Sequence, residues 1–259
     1  MSDTDPQYRF NSGPLRSTVI IELHTHHATR IWTGRQGRPE ENIQYIIGFP
    51  RFITLMNTLR LDSMADNPYA DIWMLHMEER MLTAREALNV LIGSMDAVFS
   101  QLPEMMTVEG SISIQPARFP VFASTPLGFI AVYMLTDYDT LLRKTLLAHH
   151  MALLTSTEKN ELREQAGNII RSVLTRAQLY RRIPVTRQDI REGNARAKEA
   201  EAQAGPVPDD VMDGTRRSSY APPLRQPADE PATGEALSSA ATTEQAAPED
   251  EDDDDESAT

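Results

Sequence analysis

Cysteine is absent from the 259 residues. That excludes disulfides and thiolate metal sites, and it suits a reducing compartment. Long apolar runs are missing as well. The longest, Leu127 to Leu135, is nine residues, too short to cross a hydrocarbon core of about 30 Å. The opening MSDTDPQYRF has two acids and no apolar core, so neither a signal peptide nor a membrane anchor is expected, and a cytoplasmic location is. None of the motifs G-x-S-x-G, G-x-x-x-x-G-K-[ST], G-x-G-x-x-G and H-E-x-x-H occurs. Their absence leaves enzymatic activity without support, and no cofactor is expected.

A surplus of basic charge is also lacking, but the formal net charge of −13 is unevenly placed. Residues 200–259 hold 3 Lys plus Arg against 16 Asp plus Glu, and residues 1–199 hold 22 against 22. The body is therefore neutral. Within it, residues 9–38 carry five Arg and one acid, and residues 163–198 carry nine basic residues and three acids, so two basic regions flank an acidic middle. Charge argues about partners at this local level.

The most strongly patterned stretch is Ser124 to His150. Thr125 caps and Pro126 opens a helix, whose first nine residues are apolar on every side, as a helix covered by neighbours on several sides requires. Earlier, Leu15 to Thr25 alternates as a strand, with Val19, Ile21 and Leu23 on an apolar face and Arg16, Thr18, Glu22 and His24 on the more open one. Such a strand needs a partner, either a later strand or its copy in a dimer. His26 to Arg38 reads as a basic turn or short strand. Ile43 to Leu59 reads as one kinked or two short helices, broken at Gly48 and Pro50. Asp66 and Pro68 open the longest helix, to about Gln101, with Trp73, Met77, Met81, Ala84, Leu88, Leu91, Met95 and Val98 facing the core.

Two short strands are expected within residues 104–123. Thr155 with Glu158 forms a capping box for a helix reaching about Arg182, and Thr186 with Asp189 starts another. The expected organisation is a disordered lead over residues 1–13, one mainly α (α+β) domain over 14–203, and a disordered Pro/Ala/Ser-rich acidic tail over 204–259.

Few side chains suggest chemistry. His24, His26 and His27 cluster in sequence, but in a strand His24 and His26 would share a face while His27 points away, with no nearby carboxylate but Glu22; no metal site is expected. His149 and His150 end the central helix, where cations favour the dipole. Asp137 and Asp139 fall on different helical faces and read as structural. Arg171, Arg176 and Arg181 recur every five residues and so spiral around their helix, either as a solvated surface or as phosphate contacts.

The blocks TRIWTGR (29–35), NPYADIWMLHMEE (67–79), STPLGFIAVYMLTDYDTLLRKTLLAHHMALL (124–154) and YRRIPVTRQDI (180–190) resemble the AcaB-like family of integrating conjugative element proteins, over about residues 15–192. The resemblance implies a DNA-binding transcriptional regulator of conjugative transfer genes, with ribbon-helix-helix likeness and a homodimeric form. On that reading the outer strand residues Arg16, Thr18, Glu22 and His24 meet bases. Arg30, Arg35, Arg38, Arg181 and Arg182 meet phosphates. Other element-encoded proteins are further candidate partners, and a structural or adaptor role in the conjugation machinery is the alternative.

Overall fold

The structure is a computed structural model describing residues 19–224 except Thr107 and Glu109. The expected lead, Arg16, Thr18 and the acidic run from Glu249 lie outside the described residues. In order come β1 (Val19–Leu23), α1 (His26–Thr33), a 3-10 turn (Pro39–Glu41), α2 (Phe49–Met64), α3 (Pro68–Phe99), β2 (Ala117–Val121), α4 (Pro126–His150), α5 (Ser156–Ala177), α6 (Arg187–Glu192), α7 (Ala195–Ala204) and α8 (Asp209–Met212). The fold is mainly helical with one small sheet.

The core is a layer of four helices. α3 and α4 lie along each other, and α2 and α5 pack against both. Met74, Met77, Met81 and Leu88 of α3 meet Leu127, Met134, Leu135 and Leu141 of α4. Phe49, Phe52, Met56 and Leu59 enter from α2, and Ala166, Ile170, Val173 and Leu174 from α5; all are buried. The unbranched methionines fit the irregular gaps between long crossing helices. α4 begins as expected: Pro126 stands at its start, and the Thr125 hydroxyl accepts the Gly128 N–H at 3.1 Å. The all-round apolar run is covered on most sides, with Tyr133 left half exposed under the Arg85 guanidinium, 5.5 Å from its ring centre. Both capping boxes form, at Thr155–Glu158 and at Thr186–Asp189.

Several expectations are corrected. His26 to Thr33 is helix, not turn or strand, so His24 and His26 do not share a strand face. The N-cap of α3 is Asn67, whose side chain accepts the Tyr69 and Ala70 N–H groups. Residues 43–47 are extended, bridging Arg38 to Ile43 and Arg35 to Ile46, and α2 begins only after Gly48. Of the two strands expected in 104–123, β2 is present. Ile112 and Ile114, whose alternation suggested the other, are 69% and 99% exposed and lie outside any strand. α5 stops at Ala177, short of Arg182.

Residues 205–224 are packed where a structureless tail was expected. Val211 is buried, and the Tyr69 hydroxyl donates to the Gly205 carbonyl at 2.7 Å. The physical reason is a buried charge network that reaches into this segment. Asp71, fully buried in the first turn of α3, accepts from Arg187 Nη2 at 2.5 Å, Arg217 Nε at 2.9 Å and the Ser63 hydroxyl at 2.5 Å. Arg187 also bonds Asp66 and the Val211 carbonyl. An ionised carboxylate can be kept away from water only with partners of this kind.

Candidate nucleic-acid interface

β1 and β2 form an antiparallel ribbon within one chain, in the register Val19↔Val121, Ile20↔Pro120, Ile21↔Phe119, Glu22↔Arg118 and Leu23↔Ala117. The strand's partner is therefore β2. Ile21, Leu23 and Val121 face the core, and Phe119 stacks on Trp32 of α1 with ring centres 4.8 Å apart. The outer face carries Ile20, Glu22, Arg118, Pro120 and Phe122, with Ile20 and Phe122 exposed.

Charge on that face is arranged across the strands. Arg118 Nε donates to Glu22 Oε1 at 2.9 Å and Nη2 to the same oxygen at 2.5 Å, an exposed pair contributing about 0–1 kcal/mol to stability. His24 is engaged differently: its Nδ1 accepts the Ser113 N–H at 3.2 Å.

The junction from β1 into α1 is fixed from a distance. Asp139 of α4, buried, accepts the Thr25 N–H at 2.9 Å, the Thr25 hydroxyl at 2.8 Å and the His24 N–H at 3.2 Å. Arg143 Nε stands 3.4 Å from its other oxygen. The same Thr25 hydroxyl accepts the Ala28 N–H and so caps α1. Asp139 thus ties the ribbon, the first helix and the central helix at one point, and Asp137 pairs with Arg85 instead.

The expected phosphate-contacting arginines divide into two sets. Arg38 is paired with Glu41 at 3.2 Å, and Arg182 with the buried Asp62 at 2.7 Å. Arg181 bonds the Gln178 and Tyr180 carbonyls. Arg30 and Arg35 have no carboxylate in ion-pair reach among the described residues. Both open onto one cavity of about 180 Å³, lined also by His27, Ile31, Gly34, Ile46, Tyr138, Arg171 and Leu174. The two basic regions of the sequence, 136 residues apart at Arg35 and Arg171, thereby meet.

A glycine makes that meeting possible. Gly34 holds φ +85°, and a Cβ there would lie 2.5 Å from the Gly48 nitrogen and 2.7 Å from the Ile46 carbonyl oxygen. Only glycine allows two backbones this close in that conformation, and the turn it makes sets Arg35 at the cavity rim. The electrostatics agree with the geometry. Partial burial, then Arg163, His26, Arg30 and Arg171, hold the His27 imidazole below its ordinary pKa. Burial raises the Tyr138 hydroxyl, against the opposing pull of Arg171 and Arg163.

Arg118, Tyr138 and Arg163 were not legible as site residues, because each acquires its role from a partner far away in sequence. Among the described residues there is no group of three or more His, Cys, Asp or Glu placed to hold a metal ion, and no helix long and apolar enough to cross a membrane.

Comparison with known proteins gives the class: a family model described as a transcriptional regulator matches residues 11–225. The chain belongs to that family, the AcaB transcriptional regulators. It is also similar to the crystal structure of selenomethionine-containing AcaB from uropathogenic E. coli, at 13% identity and a TM-score of 0.48, over 77% of this chain and 98% of that one. No curated protein matches.

Proposed function

We propose that this protein is a DNA-binding transcriptional regulator acting on conjugative transfer genes of an integrating element, as a cytoplasmic homodimer without enzymatic activity. Membership in a family of transcriptional regulators carries the reading. The ribbon supports it physically, because a two-stranded antiparallel ribbon fits the major groove and its outer side chains then face base edges. In this protein those side chains are Glu22 and Arg118, with His24 following β1 and with Arg16 and Thr18 preceding it in the sequence. Arg is suited to bidentate contact with guanine, and here it has an acid beside it that a base must displace. Arg30, Arg35, Arg38, Arg181 and Arg182 serve as backbone contacts, of which Arg30 and Arg35 have no acidic partner among the described residues and so cost least to engage.

Exposed Ile20 and Phe122 on the same outer face favour a second reading, in which the ribbon docks onto another element-encoded protein as an adaptor. Gel shift with the element's own promoter fragments decides between them. DNA binding predicts a shift that weakens steeply as salt rises. Arg118→Ala should then change sequence preference, and Arg35→Ala should weaken all sequences alike, reducing the salt slope by roughly one unit. No shift at low ionic strength, with a stable complex in pulldown, establishes the adaptor instead.

A further inference from the structure

The cavity between α1, the Gly34 turn, α4 and α5 has one-sided chemistry. Arg30 of α1, Arg35 of the turn that follows it and Arg171 of α5 all line it. Arg163 lies near enough to act on both His27 and Tyr138. None of the four has a carboxylate in ion-pair reach among the described residues. Their other bonds are few and neutral: Arg171 Nη2 donates to Asn168 Oδ1 at 2.7 Å, and Arg35 Nε to the Gln44 carbonyl at 3.1 Å. Most of their N–H donors therefore remain available.

A second observation is independent of the arginines. Tyr138 is 2% exposed and lines the same cavity, yet its hydroxyl has no hydrogen-bond partner among the described residues. A hydroxyl that lines a cavity without a protein partner keeps its donor for water or for a ligand. The neighbouring carboxylate, Asp139, is already occupied by Thr25, His24 and Arg143. The cavity thus gathers donors and positive charge, and among the described residues no acid neutralises them.

We propose that this cavity binds a phosphoryl group, held by the guanidinium forks of Arg30, Arg35 and Arg171, with the Tyr138 hydroxyl donating from the same lining. A planar carboxylate is satisfied by one fork. Three arginines lining one cavity, with a hydroxyl in the same lining, match an anion with oxygens pointing in several directions. The volume of about 180 Å³ equals that of roughly six waters, room for a phosphate and one further small group. The ligand chemistry has two sources, a small phosphorylated molecule or a phosphate of the duplex backbone. The proposal stands on these residues alone, whether or not the protein reads DNA.

The test is calorimetric titration of the full-length protein with pyrophosphate at low ionic strength, against chloride at matched ionic strength. Saturable one-to-one binding is expected, weakened tenfold or more by Arg171→Gln and several-fold by Tyr138→Phe, which keeps the buried ring. Melting temperatures of both variants near the parent's show that the losses are local. No saturable binding, or parent-like binding by both variants, overturns the proposal. Gel shift of the same variants on a random duplex then assigns the source. Unchanged DNA affinity in variants that have lost pyrophosphate identifies a free ligand. A parallel loss, with pyrophosphate displacing DNA, identifies the backbone.

Discussion

Asp71→Ala should be the most damaging single change at the start of α3. The carboxylate is fully buried and holds Arg187, itself 2% exposed, together with Arg217 and Ser63. Removing it leaves the Arg187 guanidinium with Asp66 Oδ1 at 2.8 Å and the Val211 carbonyl at 3.0 Å as its remaining partners, while Arg217 loses both bonds to Asp71. Breaking one partner from a buried ion pair costs about 3–5 kcal/mol, because the remaining charge stays out of water. For a domain of roughly 200 residues each kcal/mol moves Tm by about 2–4 °C, so a fall of about 10 °C is expected. Urea denaturation should show it as a lower midpoint with an unchanged slope. The exposed pair Arg38–Glu41 is the control, and Arg38→Ala should cost under about 1 kcal/mol. A loss below about 1 kcal/mol for Asp71→Ala would refute the reasoning, since it would mean that water already reaches Arg187.

Four further outcomes are expected. Gly34→Ala forces a side chain into φ +85° and against the Gly48 nitrogen; a loss of about 3 kcal/mol is expected, measured by urea midpoint, and a neutral result would refute the close approach. His27 binds its proton less readily folded than unfolded, so the unfolded chain takes up more protons as pH falls below about 6.5, and stability drops there; His27→Gln should flatten the slope of urea midpoint between pH 7.5 and 5.5. Residues 226–259 carry 12 acids and no base, so truncation after Arg225 should tighten binding to random DNA at low salt, with the effect fading as salt rises. Truncation after Gly205 should in addition lower Tm, because it removes Val211 and Arg217; equal melting temperatures for the two truncations would count against the packing of residues 205–224.

What the sequence reveals depends on how far away a residue's partner lies. The starts of α4, α5 and α6 are set by Thr125, by Thr155 with Glu158 and by Thr186 with Asp189, all within three or four positions, and these are legible. The inward set on α3 is legible too, because helical spacing alone selects Met77, Met81, Ala84 and Leu88. α1 is not. Its cap is positioned by Asp139, 114 residues on from Thr25. Arg187 reads as one more member of a basic surface region, and only the fold shows it buried on Asp71, 116 residues earlier. The same holds for the candidate site. Composition shows two basic regions, but not that Arg35 and Arg171 share a cavity, nor that Tyr138 lines it. The ribbon's inner and outer faces were visible in the alternation from Val19 to Leu23, and a strand near Phe119 and Val121 was expected too; which of the two expected strands pairs with β1 was not legible, since Ile112 and Ile114 alternate as well and lie outside any strand.

The long separation within the ribbon also orders events in time. Glu22 and Arg118 are 96 positions apart, so β1 leaves the ribosome with its partner unmade, and at about 5–20 residues per second the delay is roughly 5–20 s. During that interval Ile20, Ile21 and Leu23 form an open strand edge, the kind of surface on which chains aggregate. Closing so long a loop is affordable only once α2 and α3 have shortened it by packing, so the ribbon should be among the last features to form. The surface proposed to read DNA would then be completed last, and a chain stalled before Ala117 would carry neither the ribbon nor its function.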